Sequence, residues 1–289
     1  MKIEKYLVGK FLAEGSYGKV YAVTDTVTNE LCVMKLIEDE YRYFAKNEVE
    51  LLRAIYNSVG LYVPRFKDVI PARLQHTTDI KVNYTCIVME MIQGMDLHTF
   101  IKNNSIIQPH FLWTLMLQLL LCLKYIQQKG VVHNDLKLDN VMIDTDYRVK
   151  IIDFGISCFW NRGDYCNWRQ GTDHYSAPEM IDYNSTKWVN DHKWIKGRDV
   201  WSLGVIMYQM ANNIKYPFDV SRVKEDVSHG NISQSHYTLD DGRTNKFISY
   251  LLTVDWKQRP TIEEALDTFI SDISSQVLIK RWTYMLHSW

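Results

Sequence analysis

A histidine, two aspartates, two asparagines and a lysine stand within HNDLKLDN, residues 133–140, between the apolar runs VV and VMI. Polar side chains at that density beside a core segment need a use. The chain continues VMIDTDYRVKIIDFG, in which 141–143 and 149–152 read as two short strands about the polar turn DTDYR. A hairpin there returns Asp153 alongside the loop before it, so that Asp135, Lys137, Asn140 and Asp153 can converge on one pocket. The oxygen ligands Asn140 and Asp153 suit Mg2+, which takes few protein ligands and shares its other positions with phosphates and water. Asp135 is then left to orient a hydroxyl nucleophile and accept its proton. Lys137 can neutralise charge developing on a transferred phosphoryl group.

Two features nearer the N-terminus suit the same chemistry. AEGSYGKV, residues 13–20, places Gly15 and Gly18 at a hairpin tip, where backbone N–H groups can approach a phosphate closely. It is no Walker loop, since no G-K-[ST] ends it, and an ordinary turn carries two glycines as readily. Lys35 interrupts the apolar strand-like run CVMKLI. In a helix over roughly 38–57, Phe44, Glu48, Leu51, Leu52 and Ile55 share one face, and Lys46, Glu50, Arg53 and Asn57 share another. Glu48 is thus a carboxylate on the apolar face. Each misfit could snorkel to solvent by itself. An ion pair between Lys35 and Glu48 removes both costs at once.

The elements that must hold these groups change character along the chain. From Tyr6 to about Val88, short β-rich runs are separated by turn signals: YLVGKFL, GSYGKVYAV, LCVMKLI, VPRFKDVI and YTCIVME. After about Asp96 come long helical stretches, HFLWTLMLQLLLCLKYIQQ, VWSLGVIMYQMANN, TNKFISYLLTV and TIEEALDTFI. The expectation is an α+β, bilobal chain: a small antiparallel β lobe with one helix, about 1–90, and a larger mainly helical lobe, about 97–275, joined near 90–96. A short C-terminal tail follows, and 1–289 reads as a single domain.

At 289 residues, 46% of them hydrophobic, the chain can bury a sizeable core. A net charge of −1 gives no field for nucleic acid or an anionic membrane. The N-terminal MKIEKYLVGKF lacks the apolar core of a signal peptide. The most apolar run, 111–126, is short and interrupted by Thr114, Gln118 and Lys124, as suits a buried helix. Cys32, Cys86, Cys122, Cys158 and Cys166 are odd in number and widely spaced, which reads as reduced, buried thiols in a cytoplasmic compartment. A monomer is the default.

The ordered set of motifs resembles the eukaryotic-type serine/threonine protein kinases over roughly residues 6–270. Beside the pieces above stand DFG (153–155), GTDHYSAPE (171–179), DVWSLG (199–204) and QRP (258–260), in the family's order. The resemblance implies ATP and Mg2+ as cofactors and protein hydroxyls as acceptors. It implies that Lys35 holds the α- and β-phosphates and pairs with Glu48, and that Gly15 and Gly18 cover the phosphates. Val20 and Met34 would lie against the adenine. Met89 matches the gatekeeper, Glu90 to Ile92 the hinge, and Asp96 the residue that meets the ribose. Asp135 would be the catalytic base with Lys137 beside it, and Asn140 and Asp153 the metal ligands. Glu179 and Arg259 match a buried ion pair, Asp199 a brace for the catalytic loop, and His133 a packing residue. Lys137 and Thr172 match the serine/threonine branch.

Three departures qualify this. Asn134 stands where relatives that are switched on by loop phosphorylation carry the arginine that seats the phosphate. Activity independent of such phosphorylation is therefore expected, unless Arg162 or Arg169 substitutes. Ala13 replaces a common loop glycine, a mild change. The stretch 180–198 is longer than the family's usual connection and carries Trp188 and Trp194, either for a partner or for local packing. The alternatives are a pseudokinase that binds nucleotide or acts as a scaffold, and a small-molecule kinase. The first sits poorly with a complete polar set, and the second with GTDHYSAPE and DVWSLG.

Overall fold

The computed structural model describes residues 1–274 apart from 16, 57–59, 76–80, 105–106, 163–165, 167–170, 182–190, 220–224 and 227–241. Strands β1 (Lys2–Ile3), β2 (Tyr6–Gly15), β3 (Gly18–Asp25), β4 (Leu31–Glu38), β5 (Phe66–Gln75) and β6 (Lys81–Glu90) form one sheet. Its order is β1-β2-β3-β4-β6-β5, antiparallel throughout. The period-2 alternation of LCVMKLIE divides β4 between two faces. Cys32, Met34 and Leu36 join Tyr6, Val23, Ile70, Cys86 and Val88 in one cluster, while Ile37 enters the main core.

Helix α1 (Arg42–Ala54) follows a 3-10 turn, Asp39–Tyr41, so it is shorter at both ends than the apolar periodicity alone implies. Its buried face is Ala45, Glu48, Val49, Leu51 and Leu52, while Lys46, Glu50 and Arg53 are exposed. Asn57 lies outside the described residues.

The larger lobe contains β7 (Gly94–Asp96), α2 (Leu97–Asn103), α3 (Pro109–Gln128), β8 (Val131–Val132), β9 (Val141–Asp144), β10 (Val149–Ile151) and β11 (Cys158–Phe159). It continues with α4 (Pro178–Ile181), α5 (His192–Ala211), α6 (Arg243–Leu251) and α7 (Ile262–Ser274). α3 is long and apolar enough to cross a membrane by length and composition, but half of that stretch is buried inside the fold. It packs on α5, α7 and β10, with Trp113 stacked on Phe269 at 4.8 Å. α5 begins well before the VWSLG run because the Asp191 side chain accepts from the N–H groups of Lys193 and Trp194. The main core runs from Ile37, Val49 and Ile87 of the small lobe to Leu115, Val205 and Phe269 of the large one.

The cysteine expectation is corrected. Cys158 and Cys166 are joined by a disulfide, with Cα atoms 5.5 Å apart, while Cys32, Cys86 and Cys122 are free and buried. Count and spacing argue against a framework of several bridges. They carry no information on a single short closure across eight residues, which here starts from Cys158 on β11.

Candidate active site

The β9–β10 hairpin forms as its sequence requires, with Val149 opposite Ile143 and Ile151 opposite Val141. Ile152 N–H donates to the Asn140 carbonyl at 2.9 Å, which brings Asp153 back beside the 135–140 loop. Within that loop Lys137 Nζ donates to Asp135 Oδ2 at 2.8 Å. Asn140 Nδ2 donates to the Asp135 carbonyl at 2.8 Å and to Oδ2 at 3.1 Å. Those bonds leave the Asn140 amide oxygen as the group it can offer a cation. Thr172 Oγ1 donates to Asp135 Oδ1 at 2.8 Å and accepts from Lys137 at 3.2 Å, so Asp135 is fixed from three sides.

Beneath the loop, the buried Asp199 carboxylate accepts from His133 N–H at 2.7 Å and Asn134 N–H at 2.9 Å. Burial pushes its carboxyl above the ordinary value, and these N–H groups and Arg198 oppose that. His133 packs edge-on to Phe154 with a ring nitrogen 2.9 Å from the Ile152 carbonyl, as a structural residue would.

Lys35 and Glu48 meet as their patterning requires. Lys35 Nζ donates to both Glu48 oxygens at 2.9 Å and to Asp153 Oδ1 at 2.8 Å. Burial alone would lower the Lys35 pKa, but the Glu48 and Asp153 carboxylates outweigh it and hold the ammonium above its ordinary value. Burial likewise works to raise Asp153, and Lys35 overcomes it to leave that carboxyl below its ordinary value. Glu48 is pushed up by burial, against the pull of Lys35. The Asp153 side chain remains 44% exposed, which leaves it room for a ligand.

Gly15 and Gly18 face each other at the tip of β2 and β3. A Cβ on Gly18 would collide with the Leu36 carbonyl, so this position needs its glycine. Val20 lies opposite Lys35, and Met89 opposite Val33, so these four side chains share the face of the sheet that carries the ammonium. Met34 does not. It is fully buried in the opposite cluster with Cys32 and Leu36, which corrects the expectation that it lies against a base. Strand alternation from Lys35 selects Val33 instead.

The Glu90 side chain accepts from Lys150 Nζ at 2.6 Å and from the Arg65 N–H at 3.0 Å, and its own N–H donates to the Arg65 carbonyl at 2.9 Å, so its carbonyl is the backbone group it can offer. Ile92 is buried, and Asp96 caps α2 by accepting from the Thr99 N–H at 2.7 Å and its hydroxyl at 2.8 Å. Arg259 clasps Glu179 at 2.7 and 2.9 Å.

Asn134 has φ +67° and donates from Nδ2 to the Ile156 carbonyl at 3.1 Å and to Cys158 Sγ at 3.2 Å. The Arg162 guanidinium lies over the Phe159 ring, 3.6 Å from its centroid. Arg169 and Trp188 lie outside the described residues. Trp194 packs beside Cys158, Cys166 and Ile195, with the Arg198 guanidinium 5.0 Å from its ring.

Tyr17 went unread in the sequence. Its ring stacks on Phe44 of α1 at 4.3 Å and meets Tyr41 edge-on at 5.7 Å. An aromatic residue between the two tip glycines, with Phe44 on the helix that carries Glu48, is the signal that could have found it.

Comparison with known proteins identifies the family of the chain. The protein kinase domain family model matches residues 6–270. The chain is 34% identical over 186 residues to sperm motility kinase 3A of Mus musculus, covering 62% of this chain and 34% of that protein. It is 30% identical over 268 residues to serine/threonine-protein kinase ppk16 of Schizosaccharomyces pombe, covering 90% and 36%. The probable serine/threonine-protein kinase CCRP1 of Zea mays is 28% identical over 269 residues, covering 91% and 41%. The chain therefore spans well under half the length of these curated relatives. With the bilobal fold and a family match over most of its residues, the chain belongs to the protein kinase domain family.

Proposed function

We propose that this chain forms one serine/threonine protein kinase domain, transferring the γ-phosphoryl group of ATP to serine and threonine hydroxyls of protein substrates. The observation that carries this is the joint placement of Thr172 and Lys137 on Asp135, a short step from Asp153 with Lys35. Asp135 is held by three side chains, as a base that must point at an incoming hydroxyl needs to be.

Each residue then has a task. Gly15 and Gly18 admit the phosphates beneath the hairpin tip, and Lys35, oriented by Glu48, holds the α- and β-phosphates. Val20, Val33 and Met89 border the adenine, the backbone of Glu90 and Ile92 meets its edge, and Asp96 meets the ribose. Asp135 orients the acceptor hydroxyl and takes its proton, and Lys137 neutralises charge on the moving phosphoryl group. Asn140 and Asp153 hold Mg2+, which supplies charge neutralisation of the phosphates when bound. The donor set fits such a hard cation: one amide oxygen and one carboxylate open to the cleft.

The neutral Asn134 amide donates through Nδ2 to Ile156 and Cys158 while its buried Oδ1 has no partner, so this position offers no cation to a phosphorylated loop. We therefore read activity as independent of phosphorylation between Asp153 and Glu179. The test is ATP-dependent phosphorylation of generic protein substrates after phosphatase treatment, with Asp135→Asn in parallel. Activity should survive the phosphatase and fall by about 10²–10⁴-fold in the variant. Equal inertness of both proteins, with nucleotide still bound, would replace this reading with a nucleotide-binding scaffold.

A further inference from the structure

We propose that the Cys158–Cys166 pair is a thiol–disulfide modification site that steadies the contacts of Ile156, Cys158 and Gly171 with Asn134, in the role that an arginine–phosphate contact would otherwise fill. The catalytic half of this statement rests on the kinase reading above; the structural half does not.

Four observations meet at one place. Cys158 sits on β11 opposite Val132 of β8, the strand that feeds the 133–140 loop, so the bridge is rooted in the base of the active site. Asn134 touches the segment on its way out, donating to the Ile156 carbonyl and Cys158 Sγ. It touches the segment again on its way back, where a Cβ on Gly171 would stand 2.9 Å from the Asn134 carbonyl. These contacts make a neck around residue 134, and the disulfide ties Cys158, beside that neck, to Cys166. Cys166 also packs with Ile195 and Trp194, which fastens the tied segment to the first turn of α5. Thr172, which bonds Asp135, follows directly on Gly171, so ordering at the neck bears on the catalytic loop.

The other thiols do not compete. Burial pushes Cys86 up to about 12 and raises Cys32 and Cys122 as well, so none of the three is a ready thiolate. Reduction takes two equivalents of a small thiol of the glutathione class. A thiolate attacks one bridge sulfur, the S–S bond breaks, and the released cysteine takes up the proton that the attacker lost. A second thiolate then attacks the small-thiol sulfur of the mixed disulfide, and the cysteine it releases takes up that attacker's proton, leaving two cysteine thiols and one small-molecule disulfide. Oxidation runs the same exchange in reverse. In a reducing compartment a bridge of this sort is a sensor and not a permanent staple.

The test equilibrates the intact wild-type chain and Cys166→Ser in buffers of graded reduced and oxidised glutathione. Three quantities are read: the bridged fraction by alkylation and mass, hydrogen exchange of the Tyr175 and Ser176 amides, and kcat/KM for a generic peptide. The expected result is that bridged fraction, amide protection and activity fall together on reduction, activity by about fivefold or more. Cys166→Ser should hold the reduced values in every buffer. The proposal is overturned if both cysteines stay open to alkylation at every ratio, or if oxidised and reduced forms match within about twofold in protection. A chain that bridges and gains amide protection but transfers no phosphate supports the site and refutes the kinase reading alone.

Discussion

Lys35 Nζ and Asp153 Oδ1 are 2.8 Å apart although 118 residues separate them in sequence. The contact runs from the β-sheet of one lobe to the segment that follows the β9–β10 hairpin of the other. The same ammonium holds Glu48 of α1, so three elements are brought to register at one nitrogen.

Lys35→Met should therefore do two separable things. Phosphotransfer is lost, and Glu48 is left as a buried carboxylate without its cation, at a cost of about 3 kcal/mol. Urea denaturation measures the second effect. Adding Glu48→Leu should recover part of the stability and none of the activity, whereas equal stability of wild type and Lys35→Met would show that the pair contributes nothing to folding.

The pH dependence has a definite sign. Asp153 is depressed below its ordinary value of 3.8, so its contribution to stability is present above that pH and is lost as pH falls through the lower folded value. The Tm gap between wild type and Asp153→Asn should be full at neutral pH and close in acid below that value. Lys35, raised above its ordinary 10.5, contributes fully below that pH and loses its contribution only in stronger base. A gap that widens in acid would contradict the assignment.

Thr172 offers a conservative test of loop positioning. Thr172→Val removes the hydroxyl that Asp135 accepts and Lys137 donates to, and kcat should drop roughly tenfold or more, the worth of one charge-assisted hydrogen bond. Thr172→Ser keeps the hydroxyl and should restore most of it. Failure of the serine to rescue would assign Thr172 to packing.

Val33 and Met34 separate the two faces of β4. Val33→Phe should raise KM for ATP with little loss of stability, because the ring projects into the cleft. Met34→Ala should leave KM unchanged and cost about 2–5 kcal/mol by opening a cavity in the small-lobe cluster. The reverse pattern would restore Met34 to the adenine site.

Much of this was legible because it follows from period and polarity. Glu48 on an apolar helical face and Lys35 in an apolar strand declared each other before any contact was known, and the turn DTDYR between two apolar runs declared the hairpin. Met34 departs from the expectation because strand alternation puts Val33, and not Met34, on the face of Lys35. The Cys158–Cys166 bridge was illegible because an odd count without a C-x-x-C pair does not mark two cysteines eight residues apart as partners. The early start of α5 was missed because Asp191, its cap, sits in a stretch without apolar rhythm. Tyr17 was missed because a hairpin tip is read for its glycines.

Tyr17 has a further consequence. Its ring lies on Phe44, one turn of α1 before Glu48, so the β2–β3 hairpin, proposed above as the roof of a phosphate site, and the helix whose Glu48 bonds Lys35 share an aromatic latch. Such a stack is worth about 0.5–1.5 kcal/mol, and raising the roof forfeits it. On the proposed function, a nucleotide whose departure lifts this tip would also loosen Glu48, and by reciprocity a ligand that displaces α1 would weaken the hold on phosphate.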